Sequence, residues 1–123
     1  MKDSNQRLLR RSDFLRLRRG DAFAEGPLSA SWVARGPEPT RLGMAPAVAR
    51  VGLLVSSKVG GAALRNRVKR RLREAVRREL HRFPPVDVVL VARPSAARAT
   101  ADELRAWVER LAPRMAPGAE RAP

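Results

Sequence analysis

The stretch Arg65 to Arg78 reads R-N-R-V-K-R-R-L-R-E-A-V-R-R and sets eight cations against a single acid, Glu74. Through it runs an apolar series, Leu64, Val68, Leu72, Val76 and Leu80, which recurs every four residues and is joined by Ala75. At about 100° per residue the series stays within one half of a helical cylinder, while Asn66, Arg70, Arg73 and Arg77 gather on the opposite side. A helix over about 62–80 therefore has a core face and a cationic face that do not compete. Like charges this dense repel one another, so the cationic face asks for an anionic partner rather than for solvent alone. Gly60 and Gly61 break the chain ahead of the helix, and Pro84 and Pro85 end the region behind it.

The flanking segments supply a sheet and two further helices. Ser12 is a good N-cap, with Asp13 placed favourably in the first turn. Phe14, Leu15 and Leu17 then predict a short amphipathic helix that Gly20 stops. Leu28 to Ala34 alternates with a period of two, which predicts a strand with one wetter face. Residues 35–47 carry three prolines and two glycines and read as a loop. Val48 to Ser56 reads as the next strand, and Val86 to Ala92, V-D-V-V-L-V-A, as a central strand covered on both faces. Thr100 and Glu103 form a capping-box pattern ahead of Leu104, Trp107, Val108 and Leu111, whose helical spacing makes Trp107 a core residue rather than a stacking platform. The order helix, two or three strands, helix, strand, helix predicts an α+β single domain in which helices pack on one sheet. Its expected bounds are residues 12–112, between a basic flexible N-terminus over 1–11 and a disordered tail over 113–123.

Composition narrows the function. The 123 residues carry 26 Lys+Arg against 12 Asp+Glu, a formal net charge of +14. A second basic cluster, Arg7, Arg10, Arg11, Arg16, Arg18 and Arg19, lies before Gly20, and two such clusters on one small domain form a nucleic-acid footprint. There is no cysteine, which excludes disulfides, thiolate metal sites and cysteine nucleophiles, and His81 is the single histidine. Among the carboxylates only Asp102 and Glu103 are adjacent, and helix-start chemistry explains them better than a metal pair. No phosphate loop or nucleophile elbow is present. No apolar run approaches the roughly 20 residues of a membrane span, and no secretory signal is read at the N-terminus, so the chain is expected to be cytoplasmic with no membrane partner. The chain reads as a binder whose chemistry, if it serves an enzyme, is done by something else.

The stretch Arg50 to Arg77, R-V-G-L-L-V-S-S-K-V-G-G-A-A-L-R-N-R-V-K-R-R-L-R-E-A-V-R, resembles the signature of the bacterial ribonuclease P protein subunit. The resemblance rests on V-S-x-K at Val55 to Lys58, on Gly60, and on the R-N-R-x-K-R-x-x-R run at Arg65 to Arg73. R-L-x-R-x-S-D-F ending at Phe14 resembles the family's N-terminal helix, and Asp87 to Pro94 with the Thr100 helix resembles its last strand and helix. The resemblance implies an α-β-β-β-α-β-α fold with a left-handed crossover around the R-N-R helix, against the general right-handed rule. It implies removal of the 5′ leader from precursor tRNA, with the cut made by an RNA subunit and its Mg²⁺, and no obligate protein partner.

By position, the resemblance makes Arg65, Asn66, Arg67, Lys69, Arg70 and Arg73 contacts to the catalytic RNA, with Lys58 beside them. Arginine suits this because its planar fork grips phosphate bidentately. Asn66 either hydrogen-bonds RNA or orders the helix start. The family also binds the single-stranded leader between its N-terminal helix and the sheet, for which Phe14, Arg16 and Trp32 are the matching candidates. Phe14 is either a stacking platform or a core plug. Leu17 or Arg18 stands where a second aromatic is usual, and Gly61 where asparagine is common, which leaves a metal contact at that loop unsupported. The alternative class is a structural RNA-binding protein of ribosomal type, with no part in tRNA processing.

Overall fold

The computed structural model describes Leu15, Leu17 and residues 20–45 and 48–116. Four strands form the main sheet: β1 (Asp21–Glu25), β2 (Leu28–Ala34), β5 (Arg50–Leu54) and β6 (Val86–Ala92), in the order β1-β2-β6-β5. β1, β2 and β6 pair antiparallel, and β5 runs parallel to β6. That parallel pair requires a crossover, supplied by helix α1 (Ala62–Glu79). Helix α2 (Ala101–Met115) follows β6 and packs beside α1. The α+β sandwich expected of the sequence is thus formed, with three main-sheet strands ahead of α1.

Strand alternation decides which side chains the helices cover. Leu28, Ala30 and Trp32 of β2, and Val86, Val88, Leu90 and Ala92 of β6, point to the helical side. There they meet Val68, Leu72, Ala75 and Val76 of α1 and Leu104, Trp107, Val108 and Leu111 of α2, which are the apolar stripes legible in both helices. The opposite face of the sheet carries Ser29, Ser31 and Val33 of β2 with Asp87, Val89 and Val91 of β6. Helical Leu17, fully buried, packs there against Val89, Val33 and Val91. β6 is buried on both faces for this reason, as its continuous apolar run required.

Close packing explains Gly20. Its N–H donates to the Leu17 carbonyl at 3.0 Å, and an added Cβ would lie 2.1 Å from the Trp32 carbonyl oxygen. Beyond the turn that stops the helix, Gly20 thus brings the chain against β2. The remainder of the expected N-terminal helix, including Ser12 and Asp13, falls outside the described residues.

Three expectations are corrected. The segment 35–47, read as a loop, contains a two-stranded ribbon, β3 (Glu38–Thr40) and β4 (Gly43–Ala45). Its turn closes locally: the Leu42 N–H donates to Thr40 Oγ1 at 3.2 Å, and that hydroxyl donates to the Gly43 carbonyl at 2.9 Å. The strand expected over Val48 to Ser56 is confined to Arg50–Leu54. α2 continues past residue 112 to Met115 with Pro113 inside its last turn. Met115 extends the buried stripe and Arg114 lies over the Phe23 ring, 4.1 Å from its centroid. Residues 117–123 of the expected tail lie outside the described residues.

Candidate nucleic-acid interface

Helix α1 starts without a side-chain cap. Gly61 is its N-cap, the first turn holds no acid, and exposed Lys58 stands just ahead. Its free N–H groups and positive dipole end therefore add to the local cationic field instead of being neutralised. The entry depends on Gly60, whose φ of 153° is open to glycine and whose added Cβ would come 2.6 Å from Leu64 Cδ2. Gly61 has no such need, since its φ is −69° and space around it is open.

The cations of α1 form two rows. Arg65, Lys69 and Arg73 follow one another at intervals of four, with exposed Asn66 and Arg70 alongside. Arg67, Arg71, Glu74 and Arg78 form the second row, since Arg67 is turned by about 160° from Arg65 around the axis. Of the seven RNA-contact candidates, Lys58, Asn66, Arg67 and Arg70 are exposed, and Arg65, Lys69 and Arg73 are partly covered. Arg65 Nε is cut off from solvent and has no hydrogen-bond partner among the described residues. An orphaned donor of this kind costs about 1–3 kcal/mol unless a partner reaches it. Arg71 is braced instead, donating from Nη1 to the Ala99 carbonyl at 2.8 Å.

The second candidate surface is the sheet face on which Leu17 packs. At one end of it the buried carboxylate of Asp87 accepts two hydrogen bonds from Arg50, from Nε and Nη2, each 2.8 Å long. Arg35 Nε lies 3.4 Å from the same carboxylate, and Arg35 also donates to the Val48 carbonyl. One acid thus ties together the end of β2, the start of β5 and the start of β6. Sequence reasoning passed over this trio, although an aspartate inside an otherwise apolar strand is itself a signal, because a buried carboxylate needs a cation.

The leader candidates separate. Phe14 and Arg16 lie outside the described residues. Trp32 does not join the Leu17 face: it is 6% exposed and sits on the opposite side of the sheet, in the core beneath the helices. A period of two places Trp32 with Leu28 and Ala30 but does not say which face the helices take. Trp107 is a core residue as expected, with its Nε1 donating to the Glu25 carbonyl at 2.8 Å and its ring stacked on Phe23 at 5.1 Å. Among the described residues, no three His, Asp or Glu side chains converge to hold a metal ion. No helix among them is long and apolar enough to cross a membrane.

A single α+β domain whose described residues form a four-stranded sheet and two packed long helices, one of them a cation-lined crossover, is the class that fold and surface define. The family model described as Ribonuclease P matches residues 2–116, and the chain belongs to that family. It is 38% identical over 117 residues to the ribonuclease P protein component of Streptomyces avermitilis, covering 90% of this chain and 95% of that one. Against the ribonuclease P protein component of Thermus aquaticus it is 46% identical over 91 residues, which is 74% of this chain. The chain spans about half, 48%, of that Thermus protein's length. The solved ribonuclease P protein from Thermotoga maritima superposes with a TM-score of 0.74 at 26% identity, covering 90% of this chain and 98% of that one.

Proposed function

We propose that the chain is the protein partner of a catalytic RNA in ribonuclease P, aiding endonucleolytic removal of the 5′ leader from precursor tRNA. The observation that carries this reading is α1, which buries Val68, Leu72, Ala75 and Val76 in the core while Asn66, Arg67 and Arg70 stand exposed in the family's R-N-R segment. Arg65, Asn66, Arg67, Lys69, Arg70, Arg73 and Lys58 contact the RNA subunit, the arginines through phosphate oxygens. Phe14 and Arg16 are the candidates for leader contact; Trp32 is not part of that contact. Among the described residues, Glu25, Glu74, Glu79, Asp87, Glu103 and Glu109 are engaged in ion pairs or a helix cap, which supports a division of labour in which the RNA and its Mg²⁺ make the cut.

The test is reconstitution. Adding the protein to the ribonuclease P RNA of its own organism at low Mg²⁺ restores cleavage of precursor tRNA. No stimulation, with equally tight binding to unrelated structured RNA, would make the chain a structural RNA binder instead. Cleavage by the protein without RNA would contradict the division of labour.

A further inference from the structure

The second row of α1 does not belong to the surface formed by Arg65, Lys69 and Arg73. A rigid RNA strand lying along those three does not cover Arg71, Glu74 and Arg78 on the other flank of the helix, and Arg70 stands between the two rows. That flank faces α2, and between them lies a half-open cavity of about 300 Å³. Arg70, Arg71, Glu74 and Arg78 line it from α1, and Asp102 and Arg105 from the first turns of α2. Two small residues, Ala75 and Ala101, complete its wall and keep the space open.

The charges here are arranged for an occupant. Arg71 is braced on the Ala99 carbonyl, Arg78 reaches Glu74 at 3.4 Å, and Arg105 reaches Glu109 at 3.6 Å. Among the described residues, the side chains of Arg70 and Asp102 have no hydrogen-bond or ion-pair partner, although both line this one cavity. A surface made only to hold phosphate gains nothing from Asp102, because a carboxylate repels the phosphate its neighbours attract. A carboxylate does accept hydrogen bonds from the amino group of a nucleobase, as it does from the cytosine N4 amine. Guanidinium planes accept stacked bases as well as phosphate oxygens, and bases splayed out of RNA loops are read in this way. The volume is at the lower end of the range for small-molecule pockets, room for one nucleotide rather than a strand.

We infer that the α1–α2 cleft takes a single unstacked nucleotide of the RNA partner, its phosphate on Arg70 and Arg105 and an amino-bearing base edge on Asp102. The inference rests on the proposed RNA partnership and adds a second, base-reading contact to it. Electrostatics and base reading predict opposite signs for one variant. Asp102→Ala raises the net positive charge, so attraction alone tightens RNA binding; the nucleotide pocket requires it to weaken binding, by about tenfold for one lost base contact.

The experiment compares the wild-type chain, Asp102→Ala, Arg105→Ala and Arg65→Ala for affinity toward the ribonuclease P RNA, with chemical footprinting of unpaired bases and circular dichroism of each protein. At protein concentrations that saturate the RNA for each variant, wild type and Arg65→Ala protect one unpaired base that Asp102→Ala and Arg105→Ala leave reactive, at unchanged helix content. Unaltered or tighter binding by Asp102→Ala with an unchanged footprint would overturn the pocket while leaving the RNA partnership intact. A wild-type protein that does not bind the RNA at all overturns the partnership and the pocket with it. Should Asp102→Ala lose helix content, Arg105→Ala decides by the same footprint, since Asn at 102 would still accept from the base amino group.

Discussion

Single residues divide into those that hold the fold and those that wait for a partner. Asp87 belongs to the first group. Its carboxylate is buried and bidentate with Arg50, so Asp87→Ala removes the acid that Arg35 and Arg50 share and is expected to destabilise the protein by about 3 kcal/mol in chemical denaturation. Replacing the carboxylate costs more than the pair itself contributes, because the partner left behind has lost its neutralising charge. Arg70 belongs to the second group. Exposed and unpaired among the described residues, it contributes nothing to the core. Arg70→Ala is expected to leave the unfolding midpoint unchanged and to weaken RNA binding by about 1–3 kcal/mol, read by filter binding at moderate salt. Asp87 shows what a sequence can and cannot say. Its charge inside V-D-V-V-L-V-A announces a cation partner, yet Arg35 and Arg50 lie 52 and 37 positions away, and only strand pairing brings them together.

Among the elements, both long helices were legible because their apolar period and their termini are local properties. The capping box forms as its spacing requires: the Thr100 hydroxyl accepts from the Glu103 N–H at 3.0 Å, and the Glu103 carboxylate accepts from the Thr100 N–H at 2.8 Å. Thr100→Ala is expected to cost about 1 kcal/mol, measured as a lowered midpoint of thermal unfolding. The backbone N–H of Thr100, and after it the Thr100 side chain, hold the Glu103 carboxyl below its ordinary value of 4.5. A carboxyl so depressed stabilises the fold above that ordinary value, and the contribution is lost as pH falls from about 4.5 through the lower folded value. Acid unfolding of Glu103→Gln should therefore be flatter than wild type over this window and parallel to it at neutral pH. What the sequence hid was decided by contacts beyond the local window. Three-residue strands such as β3 and β4 have no period to detect, and β3 carries Pro39. α2 runs past its expected end because Met115 finds the core four residues after Leu111. Trp32 took the helical side because the sheet chose its covered face through α1 and α2 together, a choice that strand alternation leaves open.

For the molecule as a whole, a net charge of +14 gathers most densely on one helix, α1. α1 offers its cations on the side opposite the core, and the Leu17 face of the sheet lies on the far side of β2 and β6 from both helices. On the proposed reading, the domain holds a catalytic RNA on its helix while a leader strand passes along the other side of the sheet. Binding carried by phosphate contacts must weaken with salt, by about 0.7 to 0.9 in the log–log slope for each phosphate neutralised. The most direct measurement is the salt dependence of affinity for the ribonuclease P RNA, compared between the wild-type chain and Arg65→Ala/Arg70→Ala/Arg73→Ala. The account predicts that the triple variant keeps its thermal stability and loses roughly two to three units of slope. An unchanged slope in a folded triple variant would contradict it, and would remove α1 from the RNA interface.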